Sequence, residues 1–237
     1  MSRRPHPLLK AHSGTAGSVL VEAPEATGKI RRSRLDSQSE KRAHILLAAR
    51  TIFERAGYDG ASMNDIAAKA AVSKPTLYVY FNGKENLFDA LIEDMACSVP
   101  ESVMELDAAD PDLEAQLVSC GVGLMMKIAR TEKIDMLRVV AGAAGKFPEV
   151  GQKFFAAGPG RAIEKFKHYL AEVAARGQLA IPDTELAAFQ LLELVQSVHM
   201  RRMLFAVAGP PSRLEIERTV RAGVGVFLAA YKPAARQ

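Results

Sequence analysis

Tryptophan is absent from this chain of 237 residues, aromatics make up only 6% of it, and cysteine occurs twice, at Cys97 and Cys120. Two cysteines cannot build a disulfide framework, so the fold must rest on a hydrophobic core. Both thiols are expected buried and reduced, with redox sensing as the minor alternative. Scarce aromatics beside 49% hydrophobic residues, largely Ala, Leu and Val, favour helices over a sandwich or barrel. No apolar run approaches the roughly 20 residues that span a bilayer, and the opening MSRRPHPLLK lacks the apolar core of a secretory signal. A cytoplasmic protein is therefore expected. Catalytic signatures are missing as well. There is no P-loop, no His-Glu-x-x-His, no Gly-x-Ser-x-Gly and no dinucleotide fingerprint after a strand, so no residue is assigned a catalytic role and no enzyme is expected. His168 and His199 lie far apart without a Cys or carboxylate at ligand spacing, so neither a metal nor another cofactor is expected.

Charge is present but unevenly placed. Residues 1–36 hold seven basic and three acidic groups, a net of +4 that equals the net of the whole chain. Everything after Asp36 is neutral, and the basicity belongs to a leader rich in Gly, Ser, Pro and Ala. Without an apolar period this leader is expected to be disordered, with Lys29, Arg31, Arg32 and Arg34 either following a phosphate backbone or entering a minor groove, or simply solvated.

From Ser37 the pattern becomes helical. Ser37 and Glu40 have capping-box spacing, and Ile45, Ala49, Ile52, Phe53 and Ala56 form an inward stripe that ends at Gly57. Residues 62–88, SMNDIAAKAAVSKPTLYVYFNGKENLF, are the most informative part of the chain. Ser62 and Asp65 again have capping-box spacing, ahead of Ile66, Ala67 and Ala70. Ser73 can cap a second short helix, with Pro75 in its first turn and Leu77 and Phe81 facing inward. The outward face then carries Lys74, Thr76, Tyr78 and Tyr80, groups suited to phosphates and base edges on a helix short enough for a major groove. A fourth helix starts near Lys84, with Leu87, Phe88, Leu91, Ile92 and Met95 on its buried stripe.

This stretch resembles the DNA-binding domain of TetR-type transcriptional regulators. Ser62, Asp65, Ile66, Ala67, Val72, Ser73, Thr76, Leu77, Tyr78, Tyr80, Phe81, Lys84, Glu85, Leu87 and Phe88 stand at that family's offsets. Pro75 replaces a frequent Gly, Val79 a frequent His, and Gly83 a frequent Ser or Asp, departures that bear on operator choice more than on fold. The resemblance implies DNA contacts from Ser62, Ser73, Lys74, Pro75, Thr76, Tyr78, Val79, Tyr80 and Lys84, the last two at flanking phosphates.

The remainder reads as helices at roughly 112–130, 132–146, 148–157, 160–176, 183–208 and 212–231, punctuated by Gly158-Pro159-Gly160, Gly177, Pro182 and Gly209-Pro210-Pro211. Within it LRVVAGAAGKFPEVGQKFF, AARGQL and DTELAAFQLLELV are similar to the C-terminal domain of the AefR-like branch of that family. The expected architecture is all-α, with a basic leader at 1–36, a three-helix helix-turn-helix domain at 37–94, and a helical ligand-sensing and dimerisation bundle at 95–237. The resemblance implies a homodimer through the helices at about 183–208 and 212–231. Gly223 and Gly225 within the last helix indicate either a close helix approach or a kink.

An apolar effector cavity in the second domain has Met125, Met126, Met136, Phe147, Phe155, Phe166 and Tyr169 as candidate lining, with His199 as a polar handle. Phe154 and His168 belong to the same wider set, although core packing explains most of it equally well. The expected function is a regulator of transcription, most simply a repressor that binds a palindromic double-stranded operator and is released by a small hydrophobic effector. The alternatives are an activator or architectural DNA binder on the same fold, or an all-α small-molecule carrier or enzyme.

Overall fold

A computed structural model describes residues 25–96 and 106–233, with side chains over 37–94 and 106–233. Residues from Lys41 onward form one compact unit, and the start of the first helix belongs to a separate one. The described residues contain eleven helices and no strand: α1 Glu25–Gly60, α2 Met63–Lys69, α3 Lys74–Tyr80, α4 Lys84–Ala96, α5 Leu113–Ile128, α6 Thr131–Ala144, α7 Pro148–Ala157, α8 Pro159–Ala175, α9 Thr184–Gln196, α10 His199–Leu204 and α11 Arg213–Tyr231.

Helix α1 starts twelve positions before the expected Ser37 cap, so residues 25–36 are helical where a disordered leader is expected. The reason lies in residue type. Lys29, Ile30, Arg31, Arg32, Arg34 and Leu35 are competent helix formers in sequence, and a Ser-x-x-Glu pattern opens a helix only when the residues before it cannot continue one. The remaining leader, residues 1–24, lies outside the described residues, as does Cys97. At the other end, Gly57 takes φ 71° and ψ 172°, a region essentially reserved for glycine, and breaks α1 where the sequence places its end.

Two side-chain caps define the short helices. The Ser62 hydroxyl oxygen accepts from the Asp65 N–H (3.1 Å) and its proton goes to the Asp65 carboxylate (2.6 Å). Ser73 accepts from the Thr76 N–H (3.2 Å), with Pro75 in the first turn of α3. Between them α2 ends in a Schellman motif. The Val72 N–H reaches the Ala67 carbonyl (3.0 Å), the Ala71 N–H reaches that of Ala68 (3.2 Å), and Ala71 is held at φ 50°. An L side chain in this left-handed region costs about 1–2 kcal/mol. Ala71→Gly is therefore expected to stabilise the protein by about 0.5 kcal/mol, after glycine's greater freedom in the unfolded chain is offset. The corresponding rise in Tm is roughly 1–2 °C in calorimetry. A lower Tm would mean that the strain is not there.

The hydrophobic interior falls into two clusters. The first joins α1, α2, α3 and α4 around Phe53, Tyr58, Ile66, Leu77 and Phe88, and it also takes Met136, Val139, Val140 and Ala143 from α6 and Val150 from α7. Phe53 and Phe88 meet edge to face at 5.0 Å, and Tyr58 meets Phe88 at 4.9 Å and Phe147 at 5.2 Å. The second cluster joins α5, α8, α9, α10 and α11, including Met125, Phe166, Tyr169, Leu191, Val220 and Phe227. Between α4 and α5, the part of the connection that is described turns on aspartates. Asp107 accepts from the Ala109 N–H, Asp110 from the Asp112 N–H, and Asp112 caps α5.

The expected helix at 183–208 is two helices. Ser197 and Val198 keep helical φ and ψ, so the chain deflects there without a loop, and His199 at the start of α10 bonds to Thr219 of α11 (2.9 Å). The two glycines of α11 part company. A Cβ on Gly223 would lie 2.7 Å from the Leu194 carbonyl oxygen, whereas one on Gly225 would meet nothing within 4 Å. Gly223 thus marks a close approach of α11 to α9. Gly121 of α5 does the same on another side, where a Cβ would lie 2.7 Å from Val220.

Candidate nucleic-acid interface and internal cavity

Helix α3 is anchored by one side and bare on the other. Leu77 is wholly buried and Phe81 nearly so, with the Arg42 guanidinium 5.2 Å from the Phe81 ring. Lys74, Pro75, Tyr78 and Val79 are exposed, Val79 to 81% and Tyr78 to 42%. A large apolar side chain left that open on a seven-residue helix contributes nothing to the monomer core. Thr76 is half-buried, its hydroxyl 2.7 Å from that of Ser73, and Tyr80 is half-buried against the first cluster. Ser62 and Ser73 use their hydroxyls to cap α2 and α3. Lys84 also makes a tie within the fold. Its ammonium donates to the Asp59 carbonyl (3.1 Å) and lies 4.8 Å from the Tyr58 ring, fastening α4 to the end of α1 beyond the break at Gly57. The sequence offset gives no hint of that tie.

From this unit, contacts lead into α6 and α7. Lys146 pairs with Asp59 (2.5 Å) and its hydrogen bond holds that carboxyl below the usual range; Lys153 pairs with Asp89 (2.8 Å), which raises the ammonium's pKa. Both pairs are solvated and contribute little each. The covered apolar contacts of Val139, Val140, Ala143 and Val150 carry the junction. Arg138 of α6 adds a clasp on α10, donating Nε to the Leu204 carbonyl (2.9 Å) and Nη2 to that of Met203 (2.5 Å), with Asp135 holding its third arm.

Beyond the junction, α5 to α10 line a partly open pocket with an inner volume of about 150 Å³. Its wall comprises Leu124 and Ile128 of α5, Lys133, Ile134 and Leu137 of α6, Phe154 of α7, Pro159 and Ala162 of α8, Leu192 and Gln196 of α9, and Met200 of α10, with Gly158 between α7 and α8. Of the candidates read from sequence, Phe154 is on this wall. Met125, Phe166 and Tyr169 belong to the second core cluster around it. The Tyr169 hydroxyl has no hydrogen-bond partner there, and burial pushes its pKa up to about 12. Met136 and Phe147 pack with the first cluster instead, and Met126 and Phe155 are on the surface at 44% and 47% exposure. His199 is spent on Thr219 and the Glu215 carbonyl, and His168 is an exposed partner of Glu172. The aliphatic wall residues are the ones that sequence reasoning missed. An aliphatic stripe beside a gap looks the same in sequence as one beside a neighbour. No group of three His, Cys, Asp or Glu placed to hold a metal occurs among the described residues, and Cys120 is buried in the second cluster.

Comparison with known proteins accords with this geometry. Residues 45–91 match the family of bacterial regulatory proteins, tetR family, and residues 115–233 match the AefR-like transcriptional repressor, C-terminal domain. The transcriptional activator FasR of Mycolicibacterium smegmatis is 40% identical over 72 residues, 30% of this chain and 32% of that protein. Curated relatives of this kind are thus matched over about a third of their length. Solved structures are matched much further. A TetR-family transcriptional regulator from Mesorhizobium loti superposes with a TM-score of 0.70 at 30% identity, covering 82% of this chain and 98% of that one. The flavonoid-responsive regulator FrrA superposes with a TM-score of 0.67 at 29% identity, covering 83% of this chain and all of that one. With both halves matched and an exposed recognition helix on a capped helix-turn-helix, the chain belongs to the TetR family of bacterial transcriptional regulators, which are DNA-binding proteins and not enzymes.

Proposed function

We propose that the protein is a cytoplasmic repressor that binds a palindromic operator as a homodimer through α3 and is released when a small apolar effector enters the cavity. One observation carries the effector half of this reading. Phe154 stands on the cavity wall and also packs against the core that holds α3, so an occupant that moves its ring also moves the base of the reading head. Ser62, Ser73, Lys74, Pro75, Thr76, Tyr78, Val79, Tyr80 and Lys84 form the proposed DNA face. Pairing of two chains has its support in exposed apolar side chains on the outer sides of α9 and α11, Leu186, Phe189, Leu214 and Val226, and in Val198 between α9 and α10. The description of the C-terminal domain favours repression, while FasR, matched over 72 residues, is named an activator. Position of the binding site relative to the promoter separates the two.

The test is a footprint of the purified protein on the DNA flanking its own coding region, with and without small-molecule extract. Expected are paired half-sites about 34 Å apart overlapping the promoter, occupied by a dimer, with operator affinity lowered by a coupling of about 1–3 kcal/mol when extract is added. Binding by a monomer, or an extract component that binds free and operator-bound protein equally, would overturn it.

A further inference from the structure

We propose that Gln196 is the recognition residue of the pocket and that the guest is an uncharged, largely apolar molecule carrying one hydrogen-bonding group such as a hydroxyl or carbonyl. The inference rests on the effector reading above and assigns the effector's chemical class. Position comes first. Leu192, Gln196 and Met200 follow one another at i, i+4 and i+8, and the backbone keeps helical φ and ψ through Ser197 and Val198, so the three side chains form one row along the wall. An amide thus stands in the middle of a row whose other members are apolar. A leucine there would continue the row, and no partner within the described fold accounts for the amide. The Gln196 side chain is half-buried and makes no hydrogen bond with a described residue, so its N–H groups and its carbonyl oxygen stay available on a wall otherwise built from residues such as Leu124, Ile134, Leu137 and Phe154.

Charge then limits the guest. No Asp or Glu lines the pocket among the described residues, so a cation brought onto this wall leaves water without a counter-charge. The cationic side chain of the wall, Lys133, is already engaged by another group of the protein, so an anion would have to displace that interaction to be paired. A neutral group meets neither cost, and the Gln196 amide can donate to it or accept from it. Length is left free. The pocket is open on one side, so its inner volume of about 150 Å³ sets how much of the guest is buried and not where the guest ends.

The experiment uses the full chain and four naphthalene probes substituted at the same ring position: 2-naphthol, 2-methylnaphthalene, 2-naphthoate and 2-naphthylmethylammonium. The chain contains no tryptophan, so naphthyl fluorescence reads binding directly. Both ions are expected to bind about tenfold or more weakly than 2-naphthol. Gln196→Leu is expected to weaken 2-naphthol about fivefold while leaving 2-methylnaphthalene within about twofold. Ala162→Phe, which fills the pocket, is expected to abolish binding of both, and Leu192→Phe gives the same control if the first variant fails to fold. Equal shifts of the two neutral probes in Gln196→Leu, either ion bound as tightly as 2-naphthol, or no probe bound up to its solubility limit would each overturn the assignment. Operator affinity is read separately by fluorescence anisotropy. A 2-naphthol complex that holds operator as tightly as the free protein would remove the release mechanism for this class of guest and leave recognition by Gln196 standing.

Discussion

Gly223→Ala is expected to cost about 3 kcal/mol of stability, while Gly225→Ala two positions on is expected to add up to about 1 kcal/mol. The two substitutions are chemically identical, and on a helix in isolation both would help. At Gly223 the new methyl would sit 2.7 Å from the Leu194 carbonyl oxygen and 2.9 Å from its carbon, against backbone that cannot rotate away, so α9 and α11 must separate. At Gly225 nothing lies within 4 Å. Because α9 and α11 carry the proposed pairing face, the first variant is also expected to shift the protein toward monomer. Denaturant melts and sedimentation velocity read the two effects, and equal melts for both variants would remove the close approach from the account.

Tyr78→Ala is expected to weaken specific operator binding by on the order of 10²-fold, from about 1.5 kcal/mol at each of two half-sites. Melting temperature and binding to unrelated duplex should change little. Tyr78 is an exposed side chain with no ring contact or hydrogen bond to a described residue, so its removal leaves the core intact. Tyr80 serves as the contrast. It packs against the first cluster, so Tyr80→Ala should lower stability as well as affinity. Titrations of both variants on operator and on scrambled DNA distinguish the cases, and parental operator affinity in Tyr78→Ala would take that residue off the DNA face.

The parts of this fold that sequence reveals are those decided locally. Ser62, Ser73, Pro75 and Gly57 act within one turn of themselves, so α2, α3 and the break in α1 are readable from residue spacing. Gly158, Pro159, Gly177 and Pro182 likewise delimit α7, α8 and the start of α9 to within a residue or two. The start of α1 is not readable in this way, because Lys, Arg and Leu continue a helix as readily as Ser opens one. Nor does periodicity say which core a buried side chain joins. Met136 and Phe147 look like members of the second domain, yet they complete the first cluster. The cavity is the extreme case. It is defined by where packing stops, and the methionine and aromatic positions that draw the eye in sequence fill space, while plain aliphatics such as Leu124, Leu137 and Leu192 surround the gap.

Phe154 has a consequence for how this regulator can change over generations or in the hands of an engineer. A residue that shapes the guest's pocket and also braces the reading head cannot be altered for one purpose alone. Under the proposed repression and effector release, enlarging the pocket there would also loosen the resting hold on DNA, so new specificities obtained at position 154 should arrive with leaky expression. Leu124, Leu192 and Met200 belong to the other side of the pocket and not to the core of the reading head. On the proposed mechanism, retuning the effector response with the repressed state left tight is a matter of rewriting those three walls first.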